Sequence, residues 1–222
     1  MNLDSVEIGV DDLDEAESTY TRLLGVSALR QDDQRRRFEF GRGAIELTPD
    51  GGGLRTLRFV TDVPCVTPET FHGLRVEVTM PRATTERFPQ RGGVVGIDHV
   101  VIHSPDLDRA MSLWRDRLGL RLALDRPFPQ RGIRILFFRT GGITLEFVGR
   151  LGPTTDASGA DVPFGLAYRV TDLAAWRTHL LAAGLDVSEV RAGIKPDTLV
   201  ATVRSGAAGI PTLLIEANAK SV

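Results

Sequence analysis

The chain is poor in the residues that staple small proteins together. One cysteine in 222 residues, Cys65, excludes a disulfide framework and a thiolate-held metal cluster. Lysine is nearly missing: among 27 basic residues only Lys195 and Lys220 are lysines. The arginines are scattered rather than clustered, which reads as a bias of base composition and not as a basic patch. Against 29 acidic residues they leave a net charge of −2, with no global attraction to nucleic acid or an anionic membrane. No apolar run approaches the roughly 18 residues of a membrane-spanning helix, and the start, MNLDSVEIGVDD, lacks the basic and apolar regions of a secretory leader. A Walker A loop, a dinucleotide fingerprint after a strand and a Gly-x-Ser-x-Gly elbow are all missing. With 42% hydrophobic and 25% charged residues, the composition is that of a folded globular protein. These absences predict a soluble, cytoplasmic protein. The length leaves open whether one core or several small ones form.

What is present is a repeat. Residues 3–26, LDSVEIGVDDLDEAESTYTRLLGV, align without a gap on residues 97–120, IDHVVIHSPDLDRAMSLWRDRLGL, with ten of 24 positions identical. Chance would give roughly one or two. Val100 and Ile102 alternate with His99, Val101 and His103, the pattern of a half-buried strand. Ser104 then offers a helix cap, with Pro105 in the first turn. Leu107, Ala110, Met111, Trp114 and Leu118 follow at helical spacing, and Gly119 ends the helix. In the first copy Leu13, Ala16, Tyr20, Leu23 and Leu24 play the same part. Short strands follow each helix: RLALDR, GIRILFFRT and GGITLEFVG in the second copy, RRRFEFG and AIELTP in the first. Each unit is therefore βαβββ.

Two further openings echo these, LRFVTD from Leu57 and AYRVTD from Ala167. After Asp172 a helix with Leu173, Trp176 and Leu180 inward and three strands complete a fourth unit. After Asp62 only eleven residues precede the strand LRVEV, so the second unit is cut short. PRATTERFPQRGG, polar and bearing Pro and Gly, reads as a linker. The expected division is a degenerate half over 1–80, a linker over 81–93 and a second half over 94–222.

The segment GIDHVVIHSPDLDRAMSLWRDRLGLRLAL followed by GGITLEFVG resembles the vicinal oxygen chelate superfamily, which includes glyoxalases, methylmalonyl-CoA epimerases, extradiol dioxygenases and bleomycin-resistance proteins. The resemblance implies an α+β fold of paired βαβββ modules whose curled mixed sheets enclose a cavity, with metal ligands pointing inward from first and last strands. Strand parity gives a separate estimate of which residues face that cavity. It assigns His99, Val101 and His103 to the cavity on one strand and Thr144, Glu146 and Val148 on another. Gly165, Ala167 and Arg169 follow on a third, and Glu216 on the last. The four ligand positions implied by the resemblance then fall on His99, Glu146, Gly165 and Glu216. Glycine has no ligating side chain. His99, Glu146 and Glu216 remain as the expected ligands of a divalent ion such as Mn, Fe, Co, Ni or Zn. The first half offers Ser5, Glu46 and Glu77 at matching places, with Arg55 as the cation expected to hold the two carboxylates without a metal.

On this reading the protein is a metal-dependent lyase or isomerase. It would act on a small oxygen-bearing substrate through an enediolate-like intermediate, with Glu146 or Glu216 moving the proton. Arg169 would clamp an anionic part of the substrate or neutralise Glu216. His103, about 13 Å beyond His99 on the same face, is a substrate contact or a solvated strand end. Arg134 and Phe138 are further pocket-lining candidates, with core packing as the default for Phe138. His72, His179, Trp114 and Trp176 carry no functional assignment, and Cys65 reads as buried rather than reactive. Partners are a small-molecule substrate and a possible second copy of the chain. Two other readings follow from Gly165: a metal-free binder of a small molecule or antibiotic, and, with His103 or water in the gap, an extradiol-type dioxygenase.

Overall fold

The computed structural model describes residues 1–62, 71–81, 93–153 and 158–217. Cys65 and most of the expected linker, 82–92, lie outside the described residues. Unit one comprises β1 (Asn2–Gly9), α1 (Leu13–Leu24), β2 (Leu29–Asp32), β3 (Arg35–Glu39) and β4 (Ala44–Thr48). Of unit two, the described residues hold β5 (Gly53–Val60) and β6 (Arg75–Thr79). Unit three runs through β7 (Val94–His103), α2 (Leu107–Met111), β8 (Arg121–Phe128), β9 (Ile133–Thr140) and β10 (Ile143–Arg150). Unit four has β11 (Val162–Val170), α3 (Leu173–Ala182), β12 (Arg191–Ala192), β13 (Thr198–Val203) and β14 (Thr212–Ala217). The strands form two mixed sheets, ordered β2-β3-β4-β1-β5-β6 and β12-β13-β14-β11-β7-β10-β9-β8. In each, the opening strands of two units pair antiparallel at the centre, and each opening strand pairs parallel with its own unit's last strand. This is the expected α+β arrangement of paired βαβββ modules.

Helix starts repeat a single device. Asp12, Asp106 and Asp172 are N-caps whose carboxylates accept from the backbone N–H of Glu15 at 2.9 Å, Arg109 at 3.0 Å and Ala175 at 2.9 Å. Ser104, expected as the cap of α2, stands two residues too early, and its hydroxyl accepts from the N–H of Asp106 at 3.3 Å. Beyond Met111 the helix widens into a π-helical turn over Ser112–Arg117, so Leu113 joins Trp114 in the interior.

The helix-side faces of both sheets contribute to one continuous core. Trp114, fully buried, sits with its ring 5.5 Å from Phe147 of its own half and 5.7 Å from Phe59 of the other. Trp176 of α3 lies against the end of α1, where Gly25 adopts φ 74° and a Cβ would come within 2.6 Å of the indole. The two sheets also meet where the N–H of Leu3 donates to the Thr140 hydroxyl at 2.7 Å. No helix among the described residues is long and apolar enough to cross a membrane.

Because Trp114 fills the junction, Trp114→Ala is expected to cost about 3–5 kcal/mol. In chemical denaturation both halves should lose stability in a single transition, whereas two separated transitions would show that the halves do not share a core.

Candidate functional site

The face of the second sheet turned away from its helices is open, and parity on β7 and β10 places the expected side chains there. Val100, Ile102, Leu145 and Phe147 are buried on the helix side, while His99, Val101, Glu146 and Val148 are partly exposed on the other. The parallel register sets Thr144 beside His99 and Glu146 beside Val101. His99 Nδ1 lies 3.7 Å from a Glu146 carboxylate oxygen. Val101, Val148, Ile135 and Phe137 stand at neighbouring positions on the same face, followed on β9 by Arg139. His103, at the exposed end of β7, stacks on Phe164 with centroids 4.1 Å apart.

Asp98 was not foreseen as a site residue. By alternation from Val100 it should point into the core. The β7–β11 register instead shifts at this point, from His99 opposite Ala167 to Ile97 opposite Tyr168, leaving Asp98 as an extra residue. Such a bulge lets the carboxylate escape the apolar face. Asp98 meets His99 Nδ1 at 3.1 Å through one oxygen, and through the other it accepts two hydrogen bonds from Arg169, one of them from Nε at 3.1 Å. The first sheet carries the same bulge at Asp4, which pairs with Arg37 at 3.0 Å. The signal was in the sequence: an aspartate recurring in both copies at a position that alternation assigns to the core.

These contacts push the two carboxylates in opposite directions. Burial alone would raise the pKa of Asp98, but hydrogen bonds from His99 and Arg169 hold it well below the usual carboxylate range. Burial raises Glu146, reinforced by the charge of Asp98 and opposed by His99 and Arg139. Burial works against protonation of His99, yet its bond to Asp98 and the charges of Glu146 and Asp98 raise its pKa. No hydrogen-bond donor reaches the Glu146 carboxylate among the described residues. Its charge is met only at longer range, by His99 at 3.7 Å and by the field of Arg139.

Four expectations fail, each through register. Glu216 does not join His99. The β11–β14 pairing sets Leu166 beside Thr212 and Tyr168 beside Leu214, so Thr212, Leu214 and Glu216 lie on the helix side. There the Glu216 carboxylate accepts from the N–H of Leu173 at 2.7 Å, at the start of α3. The residue that the sheet's local two-fold relates to Glu146 is Leu213, because that two-fold exchanges His99 with Gly165. Arg169, expected as a substrate clamp or a partner of Glu216, is bound to Asp98. Arg134 also faces the helix side, as does Phe138, whose expected default of core packing holds. Arg134 pairs with Asp125 and, at 2.8 Å, with Asp108 of α2, and Phe138 packs edge-on against Phe147. In the first sheet the cation among the carboxylates is Arg58 rather than Arg55. Two residues of β5, Arg55 and Thr56, stand opposite Glu7 alone, and this bulge turns Arg55 to the carbonyl of Asp50. Arg58 instead binds Glu46 at 2.6 Å, Glu77 at 2.7 Å and also Glu7.

A resident metal does not fit this donor set. Of the four ligand positions, Gly165 and Leu213 supply none. A Cβ on Gly165 would stand 2.7 Å from the Pro211 carbonyl oxygen. Among the described residues no group of three or more His, Cys, Asp or Glu side chains could hold an ion. Two clefts, of about 220 and 260 Å³, lie elsewhere, one beside Ser104 and Arg134 and the other beside Asp12 and Gly206. Neither borders His99 or Glu146.

Paired βαβββ units, with a histidine and a carboxylate on one face of the first and last strands of one unit, define a glyoxalase-like fold. Residues 98–202 match the family model of the Glyoxalase/Bleomycin resistance protein/Dioxygenase superfamily. The second half is similar to that superfamily in sequence, and the whole chain has a glyoxalase-like fold. The mouse mitochondrial methylmalonyl-CoA epimerase is 32% identical over 63 residues, 28% of this chain and 35% of that protein. An ethylmalonyl-CoA/methylmalonyl-CoA epimerase of Cereibacter sphaeroides is 29% identical over 97 residues, 41% of this chain and 72% of that one. The match thus spans about a third of the mouse protein's length. Among solved structures, the Mn(II)-bound glyoxalase from Novosphingobium aromaticivorans superposes with a TM-score of 0.75 at 16% identity, covering 97% of this chain and 81% of that one. A 4-hydroxymandelate synthase mutant from Streptomyces coelicolor gives 0.69 at 18%, covering 98% and 92%. At these identities both show the fold alone.

Removing Arg58 strands the buried carboxylate of Glu7 and weakens the hold on Glu46, so Arg58→Ala should cost about 3 kcal/mol of stability. Arg55→Ala is expected to cost about 1 kcal/mol or less. Equal losses in denaturant titrations would contradict the placement of Arg58 at the centre of the first sheet.

Proposed function

We propose that this chain is an enzyme of the isomerase or lyase type, acting on a small oxygen-bearing substrate at a carbon next to a carbonyl group. The observation that carries this is Glu146: a carboxylate on the open sheet face, raised in pKa by burial, free of hydrogen-bond donors and 3.7 Å from His99. A base with these properties holds a proton more readily than an ordinary carboxylate, which suits removal of a weakly acidic carbon proton. His99 shares a hydrogen bond with the carbonyl oxygen on which negative charge develops, its raised pKa favouring the charged donor form. Val101, Val148 and Phe137 exclude water from the apolar part of the substrate, and the His103–Phe164 stack flanks its outer end. Because the donor set does not suit a metal, the chemistry is assigned to these side chains. The kinship with methylmalonyl-CoA epimerases supports proton transfer of this kind and suggests thioesters with an acidic C2 as first substrates to try.

A second reading, metal-free binding without turnover, is favoured by the same two positions, Gly165 and Leu213, where ligating side chains are replaced by none and by an apolar one.

One experiment addresses both. Deuterium uptake at the carbon acid is followed in heavy water containing a chelator, for methylmalonyl-CoA and a series of small 2-hydroxy ketones. The wild-type protein is expected to catalyse uptake into at least one of them, and Glu146→Gln to slow it by about 10²–10⁴-fold. Equal rates in the two proteins would remove Glu146 from the mechanism. Binding without uptake by the wild type would establish the second reading.

A further inference from the structure

The residue expected to clamp the substrate is occupied elsewhere in the site. Arg169 gives two hydrogen bonds to one oxygen of Asp98, and the other oxygen of Asp98 faces His99 Nδ1 at 3.1 Å. The three side chains are partly buried, with Arg169 24%, Asp98 17% and His99 13% exposed, so little solvent competes for these bonds. We infer that Arg169 and Asp98 are positioning residues: together they fix the His99 ring with a proton on Nδ1 and leave Nε2 as the nitrogen that meets the ligand. The inference rests on the proton-transfer reading for its kinetic consequence, but its structural content stands apart from it.

The argument is one of donors and acceptors. Both groups near Nδ1, Asp98 at 3.1 Å and Glu146 at 3.7 Å, are carboxylates, which in their charged form only accept. Nδ1 must therefore carry hydrogen whether the ring is neutral or charged. Nε2 has no partner among the described residues. Asp98 alone would be a loose anchor, because a carboxylate on a bulge can rotate. The two bonds from Arg169 fix one of its oxygens and so aim the other at the ring. The first sheet shows the same bulge put to a different use. There Asp4 takes Arg37, the next residue is Ser5, and no ring is present to be aimed. What distinguishes the second sheet is that the bulged aspartate adjoins a histidine and an arginine projects from the facing strand.

This assignment separates from a substrate clamp by measurement. Nitrogen-15 correlation spectra of the His99 imidazole, recorded above its titration so that the ring is neutral, should show the proton on Nδ1 in the wild-type protein. Asp98→Ala should shift it to Nε2 or to a mixture. In the uptake assay Arg169→Ala should lower kcat by about ten- to hundredfold with KM within about twofold, and Arg169→Lys should recover most of the loss. Thermal melts confirm that the variants are folded. A wild-type ring protonated on Nε2, or a tautomer unchanged in Asp98→Ala, would overturn the inference. So would an Arg169→Ala variant in which KM rises about tenfold at unchanged kcat, since that is the behaviour of a clamp. Should no substrate be turned over, the spectra alone decide the matter, so failure of the proton-transfer reading and failure of this one are distinguishable.

Discussion

One extra residue in the central strand pairing, Asp98 on β7, governs what the second sheet can do. Without that bulge the aspartate would point into the shared core as an unpaired charge, at a cost no small domain tolerates. With it, the aspartate and His99 come to the same side and meet Arg169 from the facing strand. The first sheet has the same bulge at Asp4, so this stretch of backbone is common to both sheets and the difference at it is electrostatic.

That difference is a matter of cations. In the first sheet Arg35, Arg37 and Arg58 converge on Glu46, and Arg58 also ties Glu7 and Glu77. Each of these three carboxylates has a guanidinium partner. The second sheet spends its arginine on Asp98 and replaces the counterparts of Glu7 and Glu77 with Val101 and Leu213. Glu146 is left without a hydrogen-bonded guanidinium among the described residues, beside His99 and within the field of Arg139. A network whose charges are satisfied holds a fold in register, and a single unsatisfied carboxylate is a reagent. The continuous core through Trp114 and Trp176 joins the two, so the closed half steadies the open one.

The sequence disclosed the fold class and the faces of β7 and β10, because alternation and helical spacing are properties of a single strand or helix. It misplaced Glu216, Arg55 and Arg134 and overlooked Asp98. Each error lies where one strand's phase depends on something outside it. The turn before β14, with positive φ at Gly206, Ala208 and Gly209, sets that strand's register in a way its residues do not show. The bulges at Arg55–Thr56 and Asp98 each reset the alternation by one. A metal site drawn from resemblance alone inherited the Glu216 error, since its third ligand rested on the phase of β14.

The central claim is that the open face works through His99 and Glu146 without a resident ion. Its most direct test is the metal content of the protein purified without chelators and then exposed to Mn, Fe, Co, Ni and Zn salts in turn. The account predicts well under one equivalent of each after desalting, unchanged by His99→Ala. One tightly held equivalent that disappears in His99→Ala would contradict it.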